Sequence, residues 1–79
     1  MEKNENLTNQ VYQKLKAQII NNEIAPNSYL DEKALCQSLG VSRTPVREAL
    51  ARLERDGLVV FVPRRGVMVS ELSLPTILE

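Results

Sequence analysis

The side chains best suited to chemistry in this sequence are two arginines, Arg43 and Arg47, in the stretch VSRTPVREALARLERDG (41–57). Residues four apart lie one turn apart on the same face of a helix. A guanidinium group can donate paired hydrogen bonds to O6 and N7 of guanine, and the hydroxyl of Thr44 can bond a phosphate. The pattern is therefore typical of a helix that enters the major groove of DNA.

The same spacing has a simpler interpretation, in which Arg43 and Arg47 are solvated surface charges that pair weakly with Glu48 or Asp56. The helix alone leaves both interpretations open. The DNA hypothesis requires both arginines to project outward instead of folding back into intramolecular ion pairs.

Local signals predict where this helix begins and ends. Ser42 is a good N-cap, Pro45 suits the first turn, and Gly57 can take the positive φ of a residue just past the helix end. At about 100° per residue, the apolar side chains gather into one stripe that should be buried. This stripe consists of Val46, Ala49, Leu50 and Leu53.

A shorter helix precedes it, with Asp31 as N-cap and Gly40 at its end. Only Gly40 and Val41 separate the two helices, which predicts a helix-turn-helix. Lys33 and the first backbone N–H groups of the shorter helix could contact a phosphate, or Lys33 could simply be solvated.

Beyond Gly57 the pattern changes to two β-branched runs, Leu58–Val62 and Val67–Val69. Between them, Pro63-Arg64-Arg65-Gly66 predicts a hairpin turn. The two arginines at its tip could contact DNA, or they could serve only to block aggregation at a sheet edge. The predicted fold is α+β and mainly α, a winged helix-turn-helix of three helices and a two-stranded β-hairpin wing.

The first helix is predicted from Thr8, as N-cap, to the pair Asn21-Asn22. Its apolar face is expected to contain Val11, Tyr12, Leu15, Ile19 and Ile20. We expect residues 1–7 to be a flexible tail, 8–70 the winged-helix domain, and 71–79 a linker toward a C-terminal effector and dimerisation domain, with a helix start at Pro75.

Charge is segregated along the chain although the total is zero. Net charge is −2 over residues 1–32, +4 over 33–66 and −2 over 67–79. A basic centre between acidic flanks fits a DNA-contacting half, and binding by this segment alone should be weak and salt-sensitive.

Composition argues against several other classes. Cys36 is the single cysteine and histidine is absent, so we expect no disulfide, metal site, cofactor or catalytic constellation, and Cys36 should pack as a small hydrophobe. No apolar run approaches about 18 residues, which predicts a cytoplasmic protein without a membrane span or signal peptide. We therefore expect a non-enzyme.

Taken together, these motifs resemble the N-terminal domain of the GntR family of bacterial transcription regulators over residues 8–70. The resemblance is carried by VSRTPVREALARLERDGLV (41–59), PRRGVMV (63–69) and LDEKALCQSLG (30–40). It is strongest to the subgroup with an all-helical C-terminal ligand domain. Asn22 and Asn27 stand where the family usually has glycine, but asparagine can occupy the same left-handed region.

The resemblance implies a dimer that binds a pseudo-palindromic operator as a repressor and is released by a small metabolite bound to the C-terminal domain. It makes Arg43 and Arg47 readers of bases or backbone, and places Pro45 and the wing residues near the backbone or minor groove. The predicted DNA-binding set is Lys33, Ser42, Arg43, Thr44, Pro45, Arg47, Arg64, Arg65 and Gly66. The alternative function is a winged helix that binds another protein instead of an operator.

Overall fold

A computed structural model describes the backbone of residues 2–71 and the side chains of residues 6–71. It contains three helices, α1 (Glu2–Ile20), α2 (Glu32–Leu39) and α3 (Arg43–Arg55). Three short strands complete the fold in the order α1, β1, α2, α3, β2, β3. The mainly helical α+β winged helix-turn-helix predicted from the sequence is confirmed.

The first helix begins earlier than the sequence analysis predicts. It starts at Glu2 instead of near Thr8, so the described part of the expected tail, residues 2–7, is helical. The segment contains no glycine or proline, the residues that most oppose a helix. Thr8 is consequently not an N-cap but a buried residue within α1.

The turn between α2 and α3 matches the predicted signals. Asp31 caps α2 by accepting hydrogen bonds from the backbone N–H groups of Lys33 and Ala34, and Gly40 ends the helix at φ 69°. Ser42 occupies the N-cap position of α3, but its hydroxyl makes no capping hydrogen bond. The predicted boundary of α3 is thus correct, whereas the predicted capping bond is not formed.

The C-terminal end of α3 connects directly to the sheet. Gly57 takes φ 80°, and its N–H donates to the carbonyl of Glu54 at 3.0 Å. The N–H of Leu58 donates to the carbonyl of Leu53 at 2.9 Å. This pair of bonds is a Schellman motif, which satisfies carbonyls at the helix end and reverses the chain within two residues.

The sheet has three strands instead of the predicted two. Strands β2 (Val59–Val62) and β3 (Gly66–Val69) form the antiparallel wing hairpin, and β1 (Tyr29–Leu30) pairs antiparallel with the other edge of β3. A two-residue strand is too short to show the alternation by which strands are recognised, so the sequence pattern indicated no strand between the first two helices. The order β1-β3-β2 therefore anchors the wing to the segment just before α2.

The core forms between α1, α3 and the inner face of the sheet. All four members of the predicted α3 stripe are buried, and Val11, Tyr12, Leu15 and Ile19 of α1 pack against them. Ile20 is exposed, contrary to prediction, because it lies on the far side of α1 from Leu15.

Cys36 is half-buried against this core, and Asn22 and Asn27 both take positive φ, as expected. The predicted linker beyond Glu71 and the helix start at Pro75 lie outside the described residues.

Candidate nucleic-acid interface

The third helix has two faces with different environments. Its inner face is buried, whereas Arg43, Thr44, Arg47 and Ala51 are exposed along one side. The side chains of Arg43 and Arg47 are 63% and 64% exposed. The predicted projection of both arginines toward solvent, from the first two turns of the helix, is thus confirmed.

Both arginines nevertheless share an intramolecular partner, Glu32 in the first turn of α2. The Nε–H of Arg47 donates to Glu32 Oε2 at 3.2 Å and to Oε1 at 3.3 Å. Nε of Arg43 lies 3.9 Å from Oε1 of the same carboxylate. The ion pairs that the DNA hypothesis excluded do form, but on the surface, where such pairs contribute only about 0.2–1 kcal/mol and are readily exchanged.

The partners predicted for these arginines, Glu48 and Asp56, are engaged elsewhere. The hydroxyl of Thr8 donates to Glu48 Oε1 at 2.7 Å, and the hydroxyl of Tyr12 donates to Asp56 Oδ2. Arg52 stacks over the ring of Tyr12, with its guanidinium carbon 4.0 Å from the ring centroid. These contacts join α1 to α3 and fix the orientation in which α3 presents its arginines.

At the start of α2, only part of the predicted phosphate site is available. The backbone N–H groups of Lys33 and Ala34 already bond Asp31 Oδ1, at 3.0 and 3.4 Å. These two donors are therefore not free for a phosphate, contrary to the prediction. The side chain of Lys33 is exposed and remains able to contact one.

Two other predicted site residues differ sharply in exposure. Ser42 is exposed beside Arg43, and its hydroxyl is not used for capping. Pro45 is almost completely buried, so its ring does not lie on the surface with the other predicted contacts. The burial of Pro45 could have been predicted from the spacing, because Pro45 precedes Ala49 by four residues and thus belongs to the buried stripe.

The tip of the wing carries exposed Arg64 and Arg65. Arg64 takes φ 67° and Gly66 takes φ 116°, and the N–H of Arg65 donates to the carbonyl of Val62 at 3.0 Å. A φ of 116° is unfavourable for any residue with a side chain, which explains the glycine. Within residues 6–71, neither tip arginine has an ion-pair partner.

A cleft of about 830 Å³ lies between α3 and the wing. Arg47 and Ala51 line its α3 side, and Arg64 and Arg65 line the wing side together with half-exposed Phe61. Glu32 also lines this cleft. The fold thus brings the arginines of two separate sequence motifs around one concave surface.

Over the described residues, 2–71, no group of three or more His, Cys, Asp or Glu residues is placed to hold a metal ion. None of the helices in that range is long and apolar enough to span a membrane. The arrangement offers hydrogen-bond donors and positive charge along a helix and a hairpin tip, which are the means by which proteins contact phosphates and base edges.

These features define a winged helix-turn-helix domain with exposed arginines on its third helix and wing tip. Residues 7–69 match the model of the bacterial regulatory proteins of the gntR family, and the chain belongs to that family. It is 44% identical over 63 residues to a helix-turn-helix-type transcriptional regulator in an unstable DNA locus of Streptomyces ambofaciens, covering 80% of this chain and 27% of that protein.

Two further comparisons agree with this family assignment. The chain is 40% identical over 65 residues to the transcriptional repressor RspR of Escherichia coli K12, covering 82% of this chain and 28% of the repressor. The solved structure of a GntR-family regulator from Pseudomonas syringae matches 84% of this chain and 28% of its own, with a TM-score of 0.78 and 33% identity. The chain therefore spans less than a third of the length of each of these three proteins.

Proposed function

We propose that the chain recognises a specific DNA operator by placing α3 in the major groove, with the wing against the adjacent backbone or minor groove. The observation that carries this proposal is the exposure of Arg43 and Arg47 on the first two turns of α3, together with a cleft that Arg47 lines on one side and Arg64 and Arg65 on the other. Cationic groups at both ends of one concave surface suit a polyanion that passes between them.

The ion pairs with Glu32 do not oppose this function strongly. An exposed pair contributes about 0.2–1 kcal/mol, whereas a bidentate arginine–guanine contact discriminates by about 1–3 kcal/mol. Exchange of Glu32 for a guanine is therefore favourable for Arg47, which in the free domain makes the shorter of the two ion pairs.

The remaining residues predicted to contact DNA differ in their exposure to solvent. Thr44, Ser42 and Lys33 are exposed near the start of α3 or α2 and suit phosphate contacts. Buried Pro45 acts only through the position of the first turn of α3. Gly66 allows the backbone at the wing tip to approach DNA closely.

Family membership and the greater length of the relatives support a proposal about oligomeric state, operator and effector. We propose a homodimeric repressor of the cytoplasm that binds a pseudo-palindromic operator and responds to a small effector bound outside residues 8–70. Residues 71–79 would link this domain to the effector-binding part.

Selection from random DNA duplexes at low salt tests the proposal. We expect enrichment of a guanine-containing half-site, and tighter binding of the selected duplex than of a scrambled duplex of equal composition. Absence of any enriched sequence, together with salt-insensitive binding to a partner protein, would support the protein-interaction function instead.

A further inference from the structure

Phe61 of β2 is a large apolar side chain that is 43% exposed and lines the cleft between α3 and the wing. We propose that its ring packs against a deoxyribose of the DNA strand that passes through this cleft. The contact supplies a part of the affinity that depends on neither base sequence nor salt. This inference rests on the proposed DNA-binding function.

The register of the sheet explains why the ring faces the cleft. Phe61 pairs with Val67 of β3, which pairs on its other side with Leu30 of β1. Cross-strand partners lie on the same face of a sheet, so the three side chains form one row. Val67 is 6% exposed and Leu30 packs against the core, which places this row on the face toward α3.

The end of the row at Phe61 is left open by α3. Ala51, one turn after Arg47, lines the cleft on the α3 side, and its methyl group is too small to cover a phenyl ring. Val59, two residues earlier on the same face of β2, is by contrast buried in the core. Phe61 thus lies just past the end of the core, with its ring available to a partner in the cleft.

The charged groups around the ring suit a phosphodiester strand. Arg47 lines the cleft on the α3 side, and Arg64 and Arg65 line it on the wing side. The acidic residues of the cleft are already engaged, Asp31 with backbone N–H groups of α2 and Glu32 with arginines of α3. Donors for phosphates therefore flank the apolar ring on both sides.

A sugar is the part of a duplex that meets a side chain at this place. The major and minor grooves are separated by the sugar–phosphate backbone of one strand, so a helix in one groove and a wing at the next enclose that backbone. Bases are stacked inside the duplex and present only their edges, in the grooves. Deoxyribose presents C–H groups between successive phosphates, and packing a ring on them removes apolar surface from water without releasing counterions.

The test measures affinity for two duplexes across a salt series. The unaltered chain and its variants are titrated into the fluorescently labelled selected and scrambled duplexes at several salt concentrations from about 50 to about 200 mM. Phe61→Ala removes the ring, and Phe61→Leu keeps an apolar side chain. Val60→Ala is the matched control, because Val60 is also 43% exposed on β2 but does not line the cleft.

We expect Phe61→Ala to lower affinity for both duplexes by the same factor, about fivefold, at every salt concentration. Phe61→Leu should lower it by less than about twofold, and Val60→Ala should leave it unchanged. Arg64→Ala should behave differently, with its largest loss at low salt, because each phosphate contact contributes about 0.9 to the slope of log affinity against log salt.

The thermal midpoint of each variant separates binding from folding. Phe61→Thr, which also removes the ring but suits a strand, provides the same comparison if Phe61→Ala loses its fold. An intact midpoint together with the fivefold loss supports the contact.

Three results would overturn the inference. A loss confined to the selected duplex would place Phe61 against a base edge such as a thymine methyl group, and a changed salt slope would assign the ring an indirect effect on the arginines. Unchanged affinity of a folded variant without the ring would exclude the contact altogether. If the unaltered chain bound neither duplex, the proposed function itself would fail, which is a different result from each of these.

Discussion

The contact of α3 with α1 differs from its contact with α2. Against α1 the contact is closed, with buried apolar side chains and hydrogen bonds from Thr8 to Glu48 and from Tyr12 to Asp56. Against α2 it is open, since α2 has no buried residue and its polar link to α3 is the exposed pairing of Glu32 with two arginines. One face of the helix thus sets its position, and the other remains available to a partner.

The difference implies that stability and DNA recognition can be altered separately. Substitutions on the inner face should lower the free energy of unfolding, whereas substitutions on the outer face should change DNA binding and leave the fold intact.

The largest effect is expected from Leu50→Ala. Leu50 is fully buried at the centre of the core, and truncation of such a side chain costs about 2–5 kcal/mol through lost burial and the cavity left behind. Urea denaturation followed by circular dichroism measures the loss. Thr44→Ala, on the exposed side of the same helix, is the control and should stay within about 0.5 kcal/mol of the unaltered chain.

The next effect is expected from Arg47→Ala, which tests the outer face. Affinity for the selected duplex should fall by about 1–3 kcal/mol, roughly 10- to 100-fold, because a bidentate contact to guanine is lost. The unfolding midpoint should not change measurably, since the arginine is largely exposed.

Arg55→Ala provides the matched control for this prediction. Arg55 is exposed in the last turn of α3, and its removal takes away the same charge from the same helix. If both variants lost affinity equally for the selected and the scrambled duplex, Arg47 would be contributing charge alone and the proposed base contact would be wrong.

The smallest effect is expected from Thr8→Val, which removes the buried hydroxyl and keeps the shape of the side chain. The hydrogen bond to the partly exposed Glu48 should contribute about 1 kcal/mol to stability. A double-mutant cycle with Glu48→Ala, which removes the acceptor, isolates this contribution from other effects of each substitution. A coupling energy of zero would show that the two side chains do not interact in solution, and Thr8→Ser should retain most of the stability.

Much of the inner face was predictable because its signals are local. The spacing of Val46, Ala49, Leu50 and Leu53 defines a stripe by helical geometry alone. Asp31, Gly40 and Gly57 mark helix ends through properties of single residues, namely a carboxylate that bonds backbone N–H groups and a backbone that tolerates positive φ. Such signals need no knowledge of the tertiary fold.

The contacts of the outer face were not predictable in this way. The partners predicted for the arginines, Glu48 and Asp56, lie in the same stretch of sequence, 41–57. Glu32 reaches them across the turn between α2 and α3, and Thr8 reaches Glu48 across 40 residues of sequence. The cleft likewise depends on the pairing of β1 with β3, for which two residues give no periodic signal.

The short connection from α3 into the wing has a geometric consequence for an operator. Gly57 and Leu58 connect α3 to β2 without a flexible loop, and β1 pairs with the opposite edge of β3. The distance between α3 and the tip of the hairpin is therefore fixed. In a complex of the proposed kind, the protein would touch two places a set number of base pairs apart. A single base pair inserted between them would move one of these places out of reach and rotate it around the duplex axis.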